Sequence, residues 1–157
     1  MVEGKEPCVK LPPVEQVGIV VKDIEKTIEF YESVLGLGPF KVYDYGEMEY
    51  TFRGRPARSR MKIAFAKSGP LEIELIQVLS GETPHSEFLA ERGEGLHHLR
   101  FHVDDLDGML AELAKEGIEP VWWKKLPELG ISFAYLDSDK TGGVILELIE
   151  DRNRQPG

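Results

Sequence analysis

The stretch QVGIVVKDIEKTIEFYESVLGLG, residues 16–38, returns 82 positions later as HLRFHVDDLDGMLAELAKEGIEP, residues 98–120. Each copy opens with residues that alternate as a half-buried strand does. Each then places an aspartate, Asp23 or Asp105, where it would cap a helix. A helical apolar stripe follows: Ile24, Ile28, Tyr31 and Leu35 in the first copy, Leu106, Met109, Leu110 and Leu113 in the second. Both predicted helices stop at a glycine, Gly36 and Gly117. A second matching pair lies later in each half, LEIELIQ (71–77) and VILELIE (144–150). Glu74 and Glu147 in that pair are 73 positions apart, so the first half is longer by nine residues. The segment GEMEYTFRGRPARSR (46–60) is the natural place for them.

Between these anchors the halves also match. Strand-like stretches lie near Phe40–Tyr45, Met48–Phe52 and Met61–Ala66, and again near Pro120–Trp123 and Ile131–Leu136. Each half reads as a strand, a helix, then several strands, and neither half covers both faces of so small a sheet alone. The expectation is a single α+β domain over residues 1–157, with module one at about 14–78 paired to module two at about 95–150. The joint, Thr83–Gly93, reads as a short helix with Thr83 as N-cap, Pro84 in the first position and Gly93 as terminator. The tail DRNRQPG (151–157) is expected to fray.

Composition closes other doors. The chain has 157 residues, 41% hydrophobic and 30% charged, long enough to bury a core without staples. Its 19 basic and 28 acidic residues leave a net charge of −9, which argues against nucleic acid and anionic lipid as partners. No apolar run exceeds four residues (Ile63–Ala66, Phe133–Leu136), and MVEGKEPCVK lacks the apolar region of a secretory signal. The lone Cys8 excludes an intrachain disulfide and a cysteine zinc site. The expected setting is cytoplasmic, with a small molecule or another protein as partner.

Superposing the halves sets Gln16 on His98 and Glu74 on Glu147. Both glutamates sit inside apolar strands, where an unpaired carboxylate is costly and would sooner neutralise itself. A divalent cation removes that cost, and pseudo-twofold strands would bring all four residues to one centre. Such a set, one imidazole nitrogen and three oxygens with no thiolate, suits Co²⁺, Mn²⁺, Ni²⁺, Fe²⁺ or Zn²⁺ with positions left open. An open divalent ion polarises a carbonyl and makes proton abstraction beside it feasible, with Glu147 or Glu74 as the acid–base group. A salt-bridged or solvent-facing glutamate is the alternative, and Glu72 and Glu150 fit it. His97 should turn away from His98 by strand alternation, as a core residue or a support behind the ligands.

With VGIVVKDIEKTIEFYESVLG, GEGLHHLRFHVDD and TGGVILELIE, the chain resembles the vicinal oxygen chelate (glyoxalase/bleomycin resistance) superfamily from about Val14 to Glu150. The second half, ERGEGLHHLRFHVDDLDGMLAELAKEGI with SDKTGGVILELIE, is most similar to the methylmalonyl-CoA epimerases. The resemblance implies two paired βαβββ modules in a half-open barrel around a central cleft. It also implies one divalent metal on Gln16, Glu74, His98 and Glu147, and an isomerase moving a proton next to a carbonyl, most simply that of a CoA thioester such as methylmalonyl-CoA. A homodimer is implied as well. Two positions depart from the epimerase pattern: Gln16, within VEQVG, stands where a histidine is usual, and Lys62 stands where a further catalytic glutamate is expected. The order Gln, Glu, His, Glu is also that of zinc-type glyoxalase I, so a lactoylglutathione lyase is the alternative enzyme. A non-catalytic binding protein of the bleomycin-resistance type is the other alternative.

Two further signals stay open. RGRPARSR (53–60) gathers Arg53, Arg55, Arg58 and Arg60, which with Lys62 would hold the phosphates of a CoA substrate or simply form a solvated loop or dimer contact. Aromatic clusters at Phe40/Tyr43/Tyr45/Tyr50/Phe52 and Trp122/Trp123/Phe133/Tyr135 read mostly as core, with the remainder as the wall of a ligand cavity.

Overall fold

A computed structural model describes residues 4–136 and 138–155. The first half runs β1 (Gln16–Val20), α1 (Ile24–Ser33), β2 (Lys41–Phe52), β3 (Arg55–Ser68) and β4 (Leu71–Gly81). After the joint helix α2 (Pro84–Arg92), the second half repeats the order as β5 (Gly95–His102), α3 (Leu106–Lys115), β6 (Pro120–Leu126), β7 (Ile131–Leu136) and β8 (Ile145–Asp151). The caps act as the sequence predicts. Asp23 accepts from the Lys26 N–H and Asp105 from the Gly108 N–H, while Thr83 and Ser86 form a capping box. Gly117 follows the α3 cap in a left-handed conformation (φ +75°), whereas α1 ends a residue sooner relative to Gly36, which leaves Leu35 off the packed stripe and exposed. Asp105→Ala leaves the Gly108 N–H without its side-chain acceptor, and we expect a loss of about 1 kcal/mol in urea unfolding. An unchanged midpoint would show that the cap contributes nothing.

The strands form a closed ring in the order β1-β4-β3-β2-β6-β7-β8-β5. Within each half one pairing is parallel: Gly18 lies opposite Glu74 in β1–β4, and Arg100 opposite Glu147 in β5–β8. These registers repeat the 82- and 73-residue offsets of the sequence, so the repeat is structural as well as textual. The ring is sealed rather than half-open, but thinly. β2 pairs with β6 at Thr51–Trp123 and Phe52–Trp122, and from Lys41 to Tyr50 its strand pairing is with β3 alone.

Helices α1 and α3 cover the outside of the two halves, each over its own cluster: Val21, Ile24, Ala64 and Leu75 in the first, Phe101, Leu106, Leu113 and Leu148 in the second. A third cluster, around Met61, Ile76, Trp122 and Tyr135, lies inside the ring. The nine extra residues of the first half are a long β2–β3 hairpin, not a loop, turned at Arg53–Gly54 with φ of +49° and +76° as a two-residue primed turn requires. At the chain end, the Asn153 side chain donates to the Leu129 carbonyl, and residues 156–157 of the expected frayed tail lie outside the described residues. No helix among the described residues is long and apolar enough to cross a membrane.

Candidate metal centre

One imidazole and two carboxylates converge inside the ring. His98 Nε2 lies 3.0 Å from Glu74 Oε2 and 3.3 Å from Glu147 Oε2, and the three ligand atoms are all within 4.8 Å of one another. Gln16 Oε1 completes the group at 3.4 Å from the same nitrogen. Gln16 and His98 are fully buried and both glutamates are 7% exposed. All four residues come from one chain. A proton on Nε2 points at Gln16 Oε1 and therefore misses both glutamates, whose Oε2 atoms are buried without a hydrogen-bond donor. Burial alone would push the His98 imidazole down, but the Glu147 and Glu74 carboxylates outweigh it and raise its pKa to about 9. The cluster thus concentrates negative charge on a point that one proton serves poorly. Three oxygens and a nitrogen around that point are a donor set for a divalent cation, which would occupy the place of the proton.

The surroundings aim these groups. The Gln16 amide nitrogen donates to Glu72 Oε1 at 2.7 Å, which turns its carbonyl oxygen to the centre. Glu72 is held in turn by Arg100 (Nη2–Oε1 3.3 Å), whose Nε donates to Glu15 at 2.7 Å. Burial works against the Arg100 guanidinium, yet Glu147, Glu74 and Glu15 keep it firmly charged. The His98 ring lies flat against Gly18, where a β-carbon would come within 2.0 Å of Cε1. A glycine in a strand interior marks such a close approach.

His97 does not turn away from His98. The β1–β5 register slips between Gly18 and Ile19, so that His97 is the extra residue of a bulge, and a bulge re-aims side chains. His97 is 1% exposed, with its Nδ1 3.1 Å from His98 Nδ1. Burial, the neighbouring His98 and Arg92 depress its pKa to about 3 against the pull of the Pro84 carbonyl, so it stays neutral and its Nδ1 accepts a hydrogen bond from the His98 Nδ1–H. With the Nδ1–H committed to His97, Nε2 is the nitrogen that faces the glutamates and would give up its proton to a cation. Behind it, His85 is held neutral by burial and by its two histidine neighbours, and its Nε2 accepts from the Tyr135 hydroxyl at 3.0 Å.

The centre opens into a cavity of about 470 Å³ whose walls include Glu74, Glu147, Arg100, Tyr50, Trp122 and Phe133. More of the two aromatic clusters lines this cavity than the core reading predicts: Tyr45, Tyr50, Trp122, Phe133 and Tyr135 all do. None of the basic residues named from sequence does. Met61 and Ile63 are the β3 residues that line it. Alternation places Lys62 on the outside, where it pairs with Glu25 of α1. Arg58 binds Glu47 at 2.7 Å and Arg60 binds Asp44 at 2.6 Å, both across the β2–β3 hairpin, while Arg53 binds Glu87 of α2 at 2.7 Å. Arg55 borders a shallow surface hollow beside Arg53 and Glu87.

A family model described as Glyoxalase/Bleomycin resistance protein/Dioxygenase superfamily matches residues 15–135. An uncharacterized Bacillus subtilis protein, YqjC, is 28% identical over 144 residues, spanning 90% of this chain and 94% of its own. Mitochondrial methylmalonyl-CoA epimerase of Mus musculus is 27% identical over 148 residues, spanning 93% of this chain and 77% of its own. Among solved structures, methylmalonyl-CoA epimerase from Mycobacterium tuberculosis superposes with a TM-score of 0.63 at 25% identity, covering 90% of this chain and 89% of that one.

Proposed function

The chain belongs to the Glyoxalase/Bleomycin resistance protein/Dioxygenase superfamily, and from that premise we propose that it is a metal-dependent isomerase of the epimerase type, acting next to the carbonyl of a CoA thioester, the class of methylmalonyl-CoA. The observation that carries this reading is the pair of buried carboxylate oxygens, Glu74 Oε2 and Glu147 Oε2, aimed at one imidazole nitrogen with no donor to satisfy them. Gln16, Glu74, His98 and Glu147 would hold the cation, which when bound supplies Lewis acidity to a substrate oxygen.

The remaining chemistry falls to the chain. Glu74 and Glu147 come from opposite halves, approach His98 from two sides, and both border the cavity in which the substrate carbon would sit. One carboxylate removes the proton next to the carbonyl and the other returns it on the opposite face, which inverts the carbon. Lys62, outside the ring and paired with Glu25, takes no part. Nor does Tyr135 act as a base, since burial and then the Glu147 and Glu74 charges drive its pKa well above the ordinary phenol range. The Arg100 guanidinium lines the same cavity and steadies a neighbouring oxyanion. The test is exchange of the α-proton of acyl-CoA esters into deuterated water by metal-loaded protein. Exchange lost on chelation supports the reading, and no exchange with any ester would leave a binding protein.

Loading the site must also displace the His98 proton. Because the pKa is raised to about 9 in the metal-free protein, apparent metal affinity should climb about tenfold per pH unit from 7 and level off near 9. The same group stabilises the metal-free fold fully below its unfolded pKa of about 6.5, and that stability fades as pH rises through about 9. Calorimetry in buffers of different ionisation enthalpy should count close to one proton released at pH 7. A count near zero would contradict the assignment of the proton to Nε2.

A further inference from the structure

The cavity is much larger than a methyl-bearing acyl group needs, and its wall is aromatic. Its volume is about 470 Å³, whereas a pocket of about 150 Å³ already admits a benzene ring. Tyr50 stacks on Trp122 with ring centroids 4.4 Å apart, and Phe133 follows at 5.3 Å from Trp122, forming one continuous wall. Glu74 and Glu147 border the same cavity, so this wall adjoins the charged centre. Met48, whose sulfur accepts from the Tyr50 hydroxyl at 3.7 Å, and Met61 line the same cavity, unbranched side chains that adapt to the outline of whatever sits against them. The Trp122 indole N–H is buried without an acceptor, in a residue only 3% exposed. Such walls give water few partners and give a second ring both stacking and edge contacts.

Taking the Glu74–His98–Glu147 cluster as the metal site, we propose that its ligand carries a ring-bearing apolar group beside the oxygens held there. The chemical class is an aryl-substituted malonic acid or its thioester, with the ring seated against Tyr50, Trp122 and Phe133. Arg100, at the charged end of the cavity, faces the acid group.

The probes are 2-benzylmalonate and methylmalonate, titrated calorimetrically into Co²⁺-loaded protein while the visible absorption of the cobalt is followed. The ring-bearing acid should bind at least tenfold tighter and should perturb the cobalt spectrum. Equal affinities, or tighter binding of methylmalonate, would overturn the proposal. Ile63 also lines the cavity, and Ile63→Trp narrows it with a ring of the chain's own. That variant should bring the two affinities to within about threefold of each other, and a preference that persists would place the ring elsewhere and overturn the assignment. If the variant does not fold, the wild-type ratio decides alone. If Co²⁺ does not bind, the metal reading fails separately, and the same two acids on metal-free protein still decide the cavity: preference for the ring upholds the proposal and equality ends it.

Discussion

Glu147→Gln should reduce α-proton exchange by about 10³-fold and weaken metal binding at least 100-fold. The substitution keeps the volume and one side-chain oxygen, so the packing of β8 between β5 and β7 is preserved. It removes a charge that serves two purposes. Glu147 Oε2 is one of the buried, donor-less oxygens at 3.3 Å from His98 Nε2, and the same carboxylate is positioned to take a proton from the substrate. Losing it also relieves part of the pull that holds the His98 pKa near 9, leaving Glu74 alone to raise it, so the pH dependence expected of the metal-free parent should move to lower pH in the variant. Exchange measured at saturating metal separates the two effects. Turnover unchanged under that condition would remove Glu147 from the mechanism, and affinity unchanged would remove it from the metal site.

The second large effect is expected from a residue that touches no substrate. Gly18→Ala places a methyl group 2.0 Å from His98 Cε1, 2.4 Å from Nδ1 and 2.4 Å from Nε2, far inside any real contact. The ring cannot retreat easily, because His97 sits 3.1 Å from its Nδ1 edge, the Tyr135 ring lies 5.0 Å away between centroids, and Glu74 and Glu147 crowd Nε2 at 3.0 and 3.3 Å. Gly18 has no positive φ, so alanine suits its backbone and the whole penalty falls on the ring. Metal affinity should drop about 100-fold, the range found when the partners that orient a metal ligand are lost. A second outcome is a lower melting temperature, from overpacking worth about 1–3 kcal/mol. Affinity within threefold of the parent would mean that the His98 orientation seen here is not the one that binds metal.

Much of this architecture can be read from the repeat. Asp23 and Asp105 cap the helices, Thr83 caps the joint helix, and the two offsets that superpose Gln16 on His98 and Glu74 on Glu147 reappear as the two parallel registers. Glu74 and Glu147 were legible because a carboxylate in an apolar strand demands a partner. What escaped is what strand alternation alone cannot supply. The bulge that turns His97 toward His98 depends on how β1 and β5 meet, which is a tertiary event. Lys62 lies outside because the inward register of β3 belongs to Met61 and Ile63, and the alternating apolar positions there were the available signal. Arg58 and Arg60 reach diagonally across the β2–β3 hairpin to Glu47 and Asp44 and not into the cavity, pairings set only once β2 and β3 are in register. Gly18 did leave a trace, a glycine between Val17 and Ile19 in a five-residue strand. Its repeat mate Arg100 left none, because its importance comes from Glu15 and Glu72 closing around it.

Four side chains of this chain are proposed to hold one divalent cation. Calorimetric titration of demetallated protein with Co²⁺, beside Glu74→Ala and His98→Ala, tests this most directly. The account predicts binding near one ion per chain in the parent and none in either variant. Binding that survives both substitutions would put the metal elsewhere, and a parent that binds no Co²⁺ would contradict the account at its root.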